Sequence, residues 1–124
     1  MMTRLITVLS VLFFTITLSA QTEISIDSVS VYIGKTVKVC SKVAGTYVTK
    51  GDKPVTYLNL GADFPNTKLT IVIFQKDLVN FPLKPSDHYK GQNVCVTGEI
   101  KQYKEKIEII ANKQEQIEIR SKLN

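Results

Sequence analysis

Two cysteines far apart in the chain place the strongest constraint on its fold. Cys40 lies in residues 36–43 (TVKVCSKV) and Cys95 in residues 92–100 (QNVCVTGEI), and both segments have the valine-rich, alternating pattern of a strand. Each cysteine follows a valine and therefore points away from the face that carries the neighbouring valines. Antiparallel pairing of the two segments would bring both sulfur atoms to one side of a sheet. We predict a disulfide between them.

Two other interpretations of the cysteines stay open at this point. They would also suit a buried pair of free thiols, or a metal site together with His88, although two cysteines and a single histidine make a poor zinc set. If the cysteines are oxidised, neither can serve as a nucleophile.

The first twenty residues have the pattern of a secretory signal peptide. Arg4 precedes an apolar run over residues 5–18, which is shorter than the roughly 20 residues that span a bilayer, and the small residue Ala20 closes it. We predict cleavage near Ala20 and export to the periplasm or the extracellular space, where disulfides persist. No later segment is apolar for long enough to anchor in a membrane, so we expect a soluble mature chain without an integral membrane segment.

The mature chain, residues 21–124, has the size of one small domain. Removal of residues 1–20 takes away Arg4 and no acid, so the formal net charge falls from +5 to +4. Lysines dominate the positive charge and are spread along the chain. A solvated surface and an anion-binding face both fit this distribution.

Five short strands separated by turn-forming residues are predicted, with a short helix or turn at residues 76–81 between the third and the fourth. Residues 21–34 fit either a strand or a short capped helix, and residues 116–119 alternate again. This succession is that of a mainly β, five-stranded Greek-key OB-fold barrel, in which closure removes exposed edges and the first strand lies beside the fourth. The cysteines suggest the same pairing. The predicted strands are residues 36–43, 55–60, 69–74, 93–100 and 106–111.

The motifs along these strands also carry a family resemblance. Residues 33–35 (IGK), 37–40 (VKVC), 54–61 (PVTYLNLG), 69–74 (LTIVIF), 89–91 (YKG) and 94–98 (VCVTG) resemble small OB-fold domains of bacterial exported proteins. The resemblance covers about residues 33–119. Such domains are similar to the tRNA-anticodon-binding OB group, so the resemblance implies an OB fold and a nucleic-acid-binding function.

Catalytic groups are scarce in the sequence. His88 is the only histidine, and Asp52, Asp63 and Asp87 are single acids in turns, where capping and solvation account for them. No phosphate-binding glycine loop and no calcium-loop spacing are present. We therefore expect a binding module that is not an enzyme and that has no cofactor and no metal site.

OB folds usually bind ligands on the face of the second and third strands and on the two loops beside it. If Leu58 and Leu60 point inward, Tyr57 and Asn59 point outward, and the same alternation turns Phe74 outward. In this interpretation Tyr57 and Phe74 stack on bases while loop lysines approach phosphates. The candidate ligand-binding residues are Tyr47, Lys50, Lys53, Tyr57, Asn59, Phe74, Tyr103, Lys104 and Lys106.

Each of these assignments has a structural alternative. Phe74 would equally pack beneath the predicted helix, Tyr57 would serve as a cross-strand packing partner, and Lys50 and Lys53, with Asp52 between them, would form a soluble hairpin tip.

Two main functions follow from the sequence, with an accessory domain that acts beside a separate nuclease as a third possibility. The first is binding of single-stranded nucleic acid or another polyanion. The alternative is a periplasmic or extracellular module that binds a protein of the cell envelope, a peptide or a small ligand, since OB barrels serve those ligands too. Export favours the alternative, and the near absence of arginine argues against base-specific readout.

Overall fold

The structure is a computed structural model that describes residues 10–12 and 22–121. The predicted signal peptide, residues 1–20, and its cleavage site near Ala20 lie almost entirely outside the described residues, so both stay predictions. Within those ranges, no helix is long and apolar enough to cross a membrane.

The described part of the chain is mainly β, as predicted, with short helical segments between strands. Among the described residues, 3₁₀ helices span Ile26–Tyr32, Gln75–Asn80 and Gln114–Gln116, and one α-helical turn, α1, spans Pro85–His88. The strands are β1 (Glu23–Ile24), β2 (Thr36–Val48), β3 (Thr56–Leu60), β4 (Leu69–Ile73), β5 (Asn93–Glu99), β6 (Lys101–Tyr103), β7 (Lys106–Ile110) and β8 (Ile117–Ile119).

The strand pairing is that of an OB fold. β2, β3 and β4 form an antiparallel meander, β7 joins β4 in parallel, and β2 pairs antiparallel with β5. β1 and β8 extend the sheet beside β2 and β5. The five predicted strands correspond to β2, β3, β4, β5 and β7, whereas β1, β6 and β8 were not among them.

The predicted pairing of the first strand with the fourth is confirmed. Cys40 on β2 lies directly opposite Cys95 on β5, and the two form a disulfide. Val39 and Val96, which point to the other face, are fully buried. The alternation of valine and cysteine thus sets which side chains enter the core and which reach the outer face.

β2 is longer than the sequence predicted. Residues 44–45 bend the strand without ending it, because Val43 lies opposite Leu60 while Gly45 lies opposite Asn59. The extra residue, Ala44, makes a β-bulge that turns the strand while pairing continues. The first part of β2 therefore pairs with β5 and the last part with β3.

The core lies between the halves of this bent sheet. The predicted inward residues of β3 and β4 are all fully buried, as are residues from the other strands. Tyr89, next to α1, is also buried in the core, and this burial, followed by the nearby Glu115 carboxylate, raises the pKa of its phenol. The confirmed inward residues are Leu58, Leu60, Leu69, Ile71 and Ile73.

The prediction of a closed barrel is wrong. The hydrogen-bonded strand order runs β6-β7-β4-β3-β2-β5-β8, and no ladder joins β5 to β7 within residues 22–121. We call the gap between β5 and β7 the open seam. At this seam a Cβ at Gly98 would lie 2.5 Å from Cγ2 of Ile109, so an isoleucine side chain occupies the space beside the β5 backbone.

The residue that follows β5 is bonded to the chain just before β2 and leads directly into β6. Ile100 alone separates β5 from β6, and its N–H and carbonyl bond to the main chain of Lys35 and Gly34 just before β2. After Ile100 the chain leaves β2, and β6 pairs antiparallel with β7.

The helical segments differ slightly from prediction. The 3₁₀ helix Gln75–Asn80 lies where residues 76–81 were predicted, whereas α1 was not expected as a helix; Pro85 at its first position favours a helical start. The sequence of residues 21–34 fits either a strand or a short helix, and the structure has both, the short strand β1 followed by the 3₁₀ helix Ile26–Tyr32. Ser25 caps that helix by accepting a hydrogen bond from the main-chain N–H of Asp27 (3.2 Å).

Candidate functional site

An open groove runs across the outer face of the sheet, over β3, β4 and β7 and the last part of β2. Its volume is about 1270 Å³. The β6–β7 turn borders the groove, and so does the loop of residues 61–68, which connects β3 to β4. This is the face that OB folds commonly use for ligands.

Part of the predicted set of binding residues lines this groove. Tyr47 lies in β2 and not in a loop as predicted, because β2 continues to Val48. Lys50 and Lys53, in the loop after β2, and Phe74, after β4, lie outside the lining, and Phe74 is 37% exposed. The predicted residues that do line the groove are Tyr47, Tyr57, Asn59, Tyr103, Lys104 and Lys106.

Two tyrosines form the aromatic centre of the groove. Tyr47 and Tyr57 are direct cross-strand partners, and their ring centroids lie 6.5 Å apart with planes inclined by only 6°. Tyr57 is half-buried. Burial, and after it the charge of Glu108, raises the pKa of the Tyr57 phenol. The phenol is therefore neutral at physiological pH and offers an uncharged ring.

Lysine ammonium groups lie against the aromatic rings. Nζ of Lys106 is 5.5 Å from the ring centroid of Tyr57 and 5.9 Å from that of Phe64. Nζ of Lys104 lies 5.5 Å from the centroid of Tyr103. These distances suit cation–π attraction. The groove thus places positive charge and aromatic rings side by side.

A small hydrogen-bonded network forms the floor beside the tyrosines. Thr70 Oγ1 donates to Asn59 Oδ1 (3.3 Å), and Asn59 Nδ2 donates to Asp63 Oδ1 (3.1 Å). The main-chain N–H of Phe64 donates to the same Asp63 oxygen (2.8 Å). Gly45 leaves room for this carboxylate, since a Cβ there would collide with it. The Asp63 carboxylate is therefore held in a defined position.

Sequence reasoning missed the loop of residues 61–68 as part of the site. It interpreted residues 61–66 only as a turn, yet the loop folds back over the sheet, where the Asp63 carboxylate lies against Gly45 and accepts a hydrogen bond from Asn59. Phe64 is 72% exposed. An aromatic residue in a polar, proline-containing loop was the available signal, because burial does not explain it. The missed lining residues include Asp63, Phe64, Thr67, Lys68 and Thr70.

Acidic groups partly offset the positive charge of the groove. Asp63 and Glu105 are part of the lining, and Glu108 lies opposite Thr70 in the sheet. Burial raises the pKa of the Glu108 carboxyl, and Lys106 partly opposes this shift. A ligand held here would meet aromatic rings and a few cations rather than a uniformly basic surface.

Other candidate chemistry lies away from the groove. His88 ends α1, packs edge-on against Tyr89 with centroids 4.7 Å apart, and is not part of the groove lining. In the parts of the chain that the structure describes, no three or more His, Cys, Asp and Glu residues cluster in a way that could hold a metal ion.

Comparison with known proteins supports the fold. No protein-family model matches the sequence, and a search of curated proteins finds no match either. The crystal structure of yeast Stn1 and Ten1 is similar, with a TM-score of 0.59 and 16% identity over 85% of this chain and 65% of that chain. A putative aspartyl-tRNA synthetase from Leishmania major Friedlin has a TM-score of 0.50 and 17% identity over 82% of this chain and 21% of its own.

The chain therefore spans less than two thirds of either solved chain. At these identities the likeness establishes a shared fold, and it agrees with the OB-fold topology of the sheet.

Proposed function

We propose that this chain is a non-enzymatic OB-fold module that binds single-stranded nucleic acid in the groove across β3, β4 and β7. The observation that carries the proposal is the parallel pair Tyr47 and Tyr57 with the Lys106 ammonium beside it. Single-strand binders combine such aromatic platforms with cations that follow the phosphate backbone.

The geometry favours unpaired bases over a duplex. An aromatic side chain stacks on a base only when the base is free of its own neighbours, whereas duplex bases are already stacked. The exposed Phe64 and Tyr103 extend the aromatic surface away from the central pair. The mixed charge of the groove makes stacking a larger share of the binding free energy than in a purely basic site.

The comparisons add an analogy at the level of the fold. One of the similar structures is named as an aspartyl-tRNA synthetase, an enzyme that acts on a nucleic acid. Fold alone does not fix function, so this supports the proposal only weakly beside the groove itself. The comparisons do not support a periplasmic setting for the alternative function, whereas the similar structure of Stn1 and Ten1, which holds two proteins, is compatible with a protein partner.

The test is binding of a fluorescent single-stranded oligonucleotide at low and at moderate salt. We expect binding that weakens as salt rises, and Tyr57→Leu should weaken it by about 1–3 kcal/mol, the range for loss of one base-stacking ring. Phe74→Leu is the matched control, because Phe74 lies outside the groove. An absence of binding at low salt would disprove the proposal.

We further propose that the domain acts outside the cytoplasm after removal of residues 1–20. The charged, apolar and small-residue pattern of those residues and the disulfide Cys40–Cys95 support this. Mass measurement of the protein recovered from an expressing cell tests it. In the exported fraction we expect the mass of a chain that begins at Gln21. The mass of the chain with residues 1–20 still attached would contradict the proposal.

A further inference from the structure

We infer that the groove prefers guanine among the bases of a bound single strand, and that Asp63 is the residue that sets this preference. The inference rests on the proposed function, because it concerns which base the same groove holds. It starts from an unusual feature of the groove, a carboxylate that is fixed in position within a site for a polyanion.

One oxygen of this carboxylate is used inside the protein and the other is not. Oδ1 of Asp63 accepts hydrogen bonds from Nδ2 of Asn59 (3.1 Å) and from the main-chain N–H of Phe64 (2.8 Å). Within residues 22–121, Oδ2 accepts no hydrogen bond and Asp63 forms no ion pair. An ionised carboxylate can only accept hydrogen bonds. Oδ2 therefore needs a donor, from water or from a ligand.

The carboxylate lies one step along the sheet from the aromatic pair. It packs over Gly45, which is two residues before Tyr47 on the same face of β2, and it bonds Asn59, which is two residues after Tyr57 on β3. Two residues of a strand span about 7 Å. A base stacked on the tyrosines would thus extend one edge toward Oδ2.

The chemistry of the base edges selects guanine. A carboxylate repels phosphate, so a bound strand must turn a donor-bearing base edge toward Asp63. On its Watson–Crick edge guanine presents adjacent N1–H and N2–H donors, whereas thymine presents one N–H, and adenine and cytosine each present one amino group beside an acceptor. Unpaired bases are commonly recognised through this edge. Two donors on one carboxylate oxygen make guanine the best match.

The oligonucleotides for the test differ at a single base. Fluorescent oligo-dT carries deoxyguanosine, deoxyadenosine, deoxycytidine or deoxyinosine at its centre, and each dissociation constant is measured at low salt. We expect the guanine strand to bind about 5- to 100-fold more tightly than oligo-dT, the range for specific hydrogen-bonded base recognition. Inosine, which lacks the N2 amino group, should fall between the two.

Asp63→Asn tests the assigned residue with little change of shape. In this variant the side-chain amide oxygen takes the position of Oδ1, because Asn59 Nδ2 and the main-chain N–H of Phe64 both donate there. The amide nitrogen then takes the position of Oδ2, so guanine meets a hydrogen-bond donor instead of an acceptor. We expect the guanine preference to disappear while binding to oligo-dT persists. Asp52→Asn, which changes the same charge in the loop outside the groove, should keep the preference.

The possible failures are distinguishable. Equal affinity of the unmodified protein for all the strands would overturn the guanine inference and leave the proposed function intact. Preference retained by a folded Asp63→Asn variant, as judged by its thermal unfolding, would overturn the role of Asp63. Failure to bind any strand would overturn the proposed function and the inference with it.

Discussion

The side-chain amide of Gln116 donates a hydrogen bond to the main-chain carbonyl of Thr97 (3.1 Å), across the open seam of the sheet. The same nitrogen donates to the carbonyl of Ile110 (3.2 Å), and the amide oxygen accepts from the main-chain N–H of Asn112 (2.8 Å). Thr97 belongs to β5 and Ile110 ends β7. One glutamine side chain therefore bonds main-chain groups on both sides of the open seam.

Replacing Gln116 should destabilise the fold through these main-chain groups. Gln116→Leu keeps the approximate volume but leaves partly buried carbonyls without a donor, and we expect a loss of about 1–3 kcal/mol in the free energy of unfolding. Denaturant unfolding measures it. Gln114→Leu, in the same 3₁₀ turn but without a side-chain hydrogen bond among the described residues, is the matched control. Equal effects of the two substitutions would argue against a sealing role for Gln116.

Gly98 should not tolerate a side chain. In Gly98→Ala the new methyl group would lie 2.5 Å from Cγ2 of the fully buried Ile109, so we expect a loss of about 1–3 kcal/mol in unfolding free energy from overpacking. A double-mutant cycle with Ile109→Ala isolates the contact. Since the smaller side chain removes the clash, the combined cost should be less than the sum of the single costs. Strict additivity would mean that the two residues do not meet.

The disulfide should contribute substantially to stability. Cys40 and Cys95 are separated by 55 positions, and the chain-entropy model gives roughly 4 kcal/mol for a loop of that length, with measured values often lower. The double variant Cys40→Ala, Cys95→Ala should therefore unfold at a lower denaturant concentration. Reductant should lower the midpoint of the unmodified protein and leave that of the variant unchanged. If the unfolding midpoint of the unmodified protein is the same with and without reductant, the disulfide does not have this role.

Glu108 should make the stability depend on pH. Burial raises the pKa of its carboxyl in the folded state, so the folded state binds this proton more tightly than the unfolded chain does. The contribution of Glu108 to stability is therefore present at low pH and is lost as the pH rises through the raised pKa. Glu108→Gln, which stays uncharged, should be more stable than the unmodified protein at pH 7.

The gain from Glu108→Gln should shrink as the pH is lowered and vanish below the ordinary range of a glutamate, where both side chains are neutral. Unfolding midpoints from pH 7 to pH 3 measure this. Glu105→Gln, at an exposed position in the adjacent turn, should show little such trend. A gain from Glu108→Gln that is the same at every pH would exclude the charge as its cause.

Lys106 should contribute one phosphate contact that Lys53 does not. Lys106→Gln should reduce the slope of log affinity against log salt by about 0.7, the value for one phosphate contact on a single strand. Lys53→Gln removes the same charge from the loop outside the groove and should change the slope less. The slopes come from titrations of one oligonucleotide at several salt concentrations. Equal changes would contradict the distinction between the groove and the loop.

The sequence predicted much of the fold and part of the candidate site. The inward residues of β3 and β4 follow from alternation alone, because successive side chains of a strand point to opposite faces. The same rule turned Tyr57 and Asn59 outward and into the groove. It could not place Tyr47, since the length of β2 depends on a bulge at Ala44 that keeps the strand paired. Nor could it show that Phe64 returns over the sheet.

The sequence alone predicts the pattern of five strands, the face of β3 and β4 that enters the core and the pairing of the Cys40 segment with the Cys95 segment. These depend on local periodicity and on chemistry that each residue carries with it. The disulfide itself, the open seam bonded by Gln116 and the contacts of Lys106 with Phe64 and Tyr57 are visible only in the folded structure. Those contacts join segments whose separation in space is set by bends, bulges and loop docking, which no local pattern encodes.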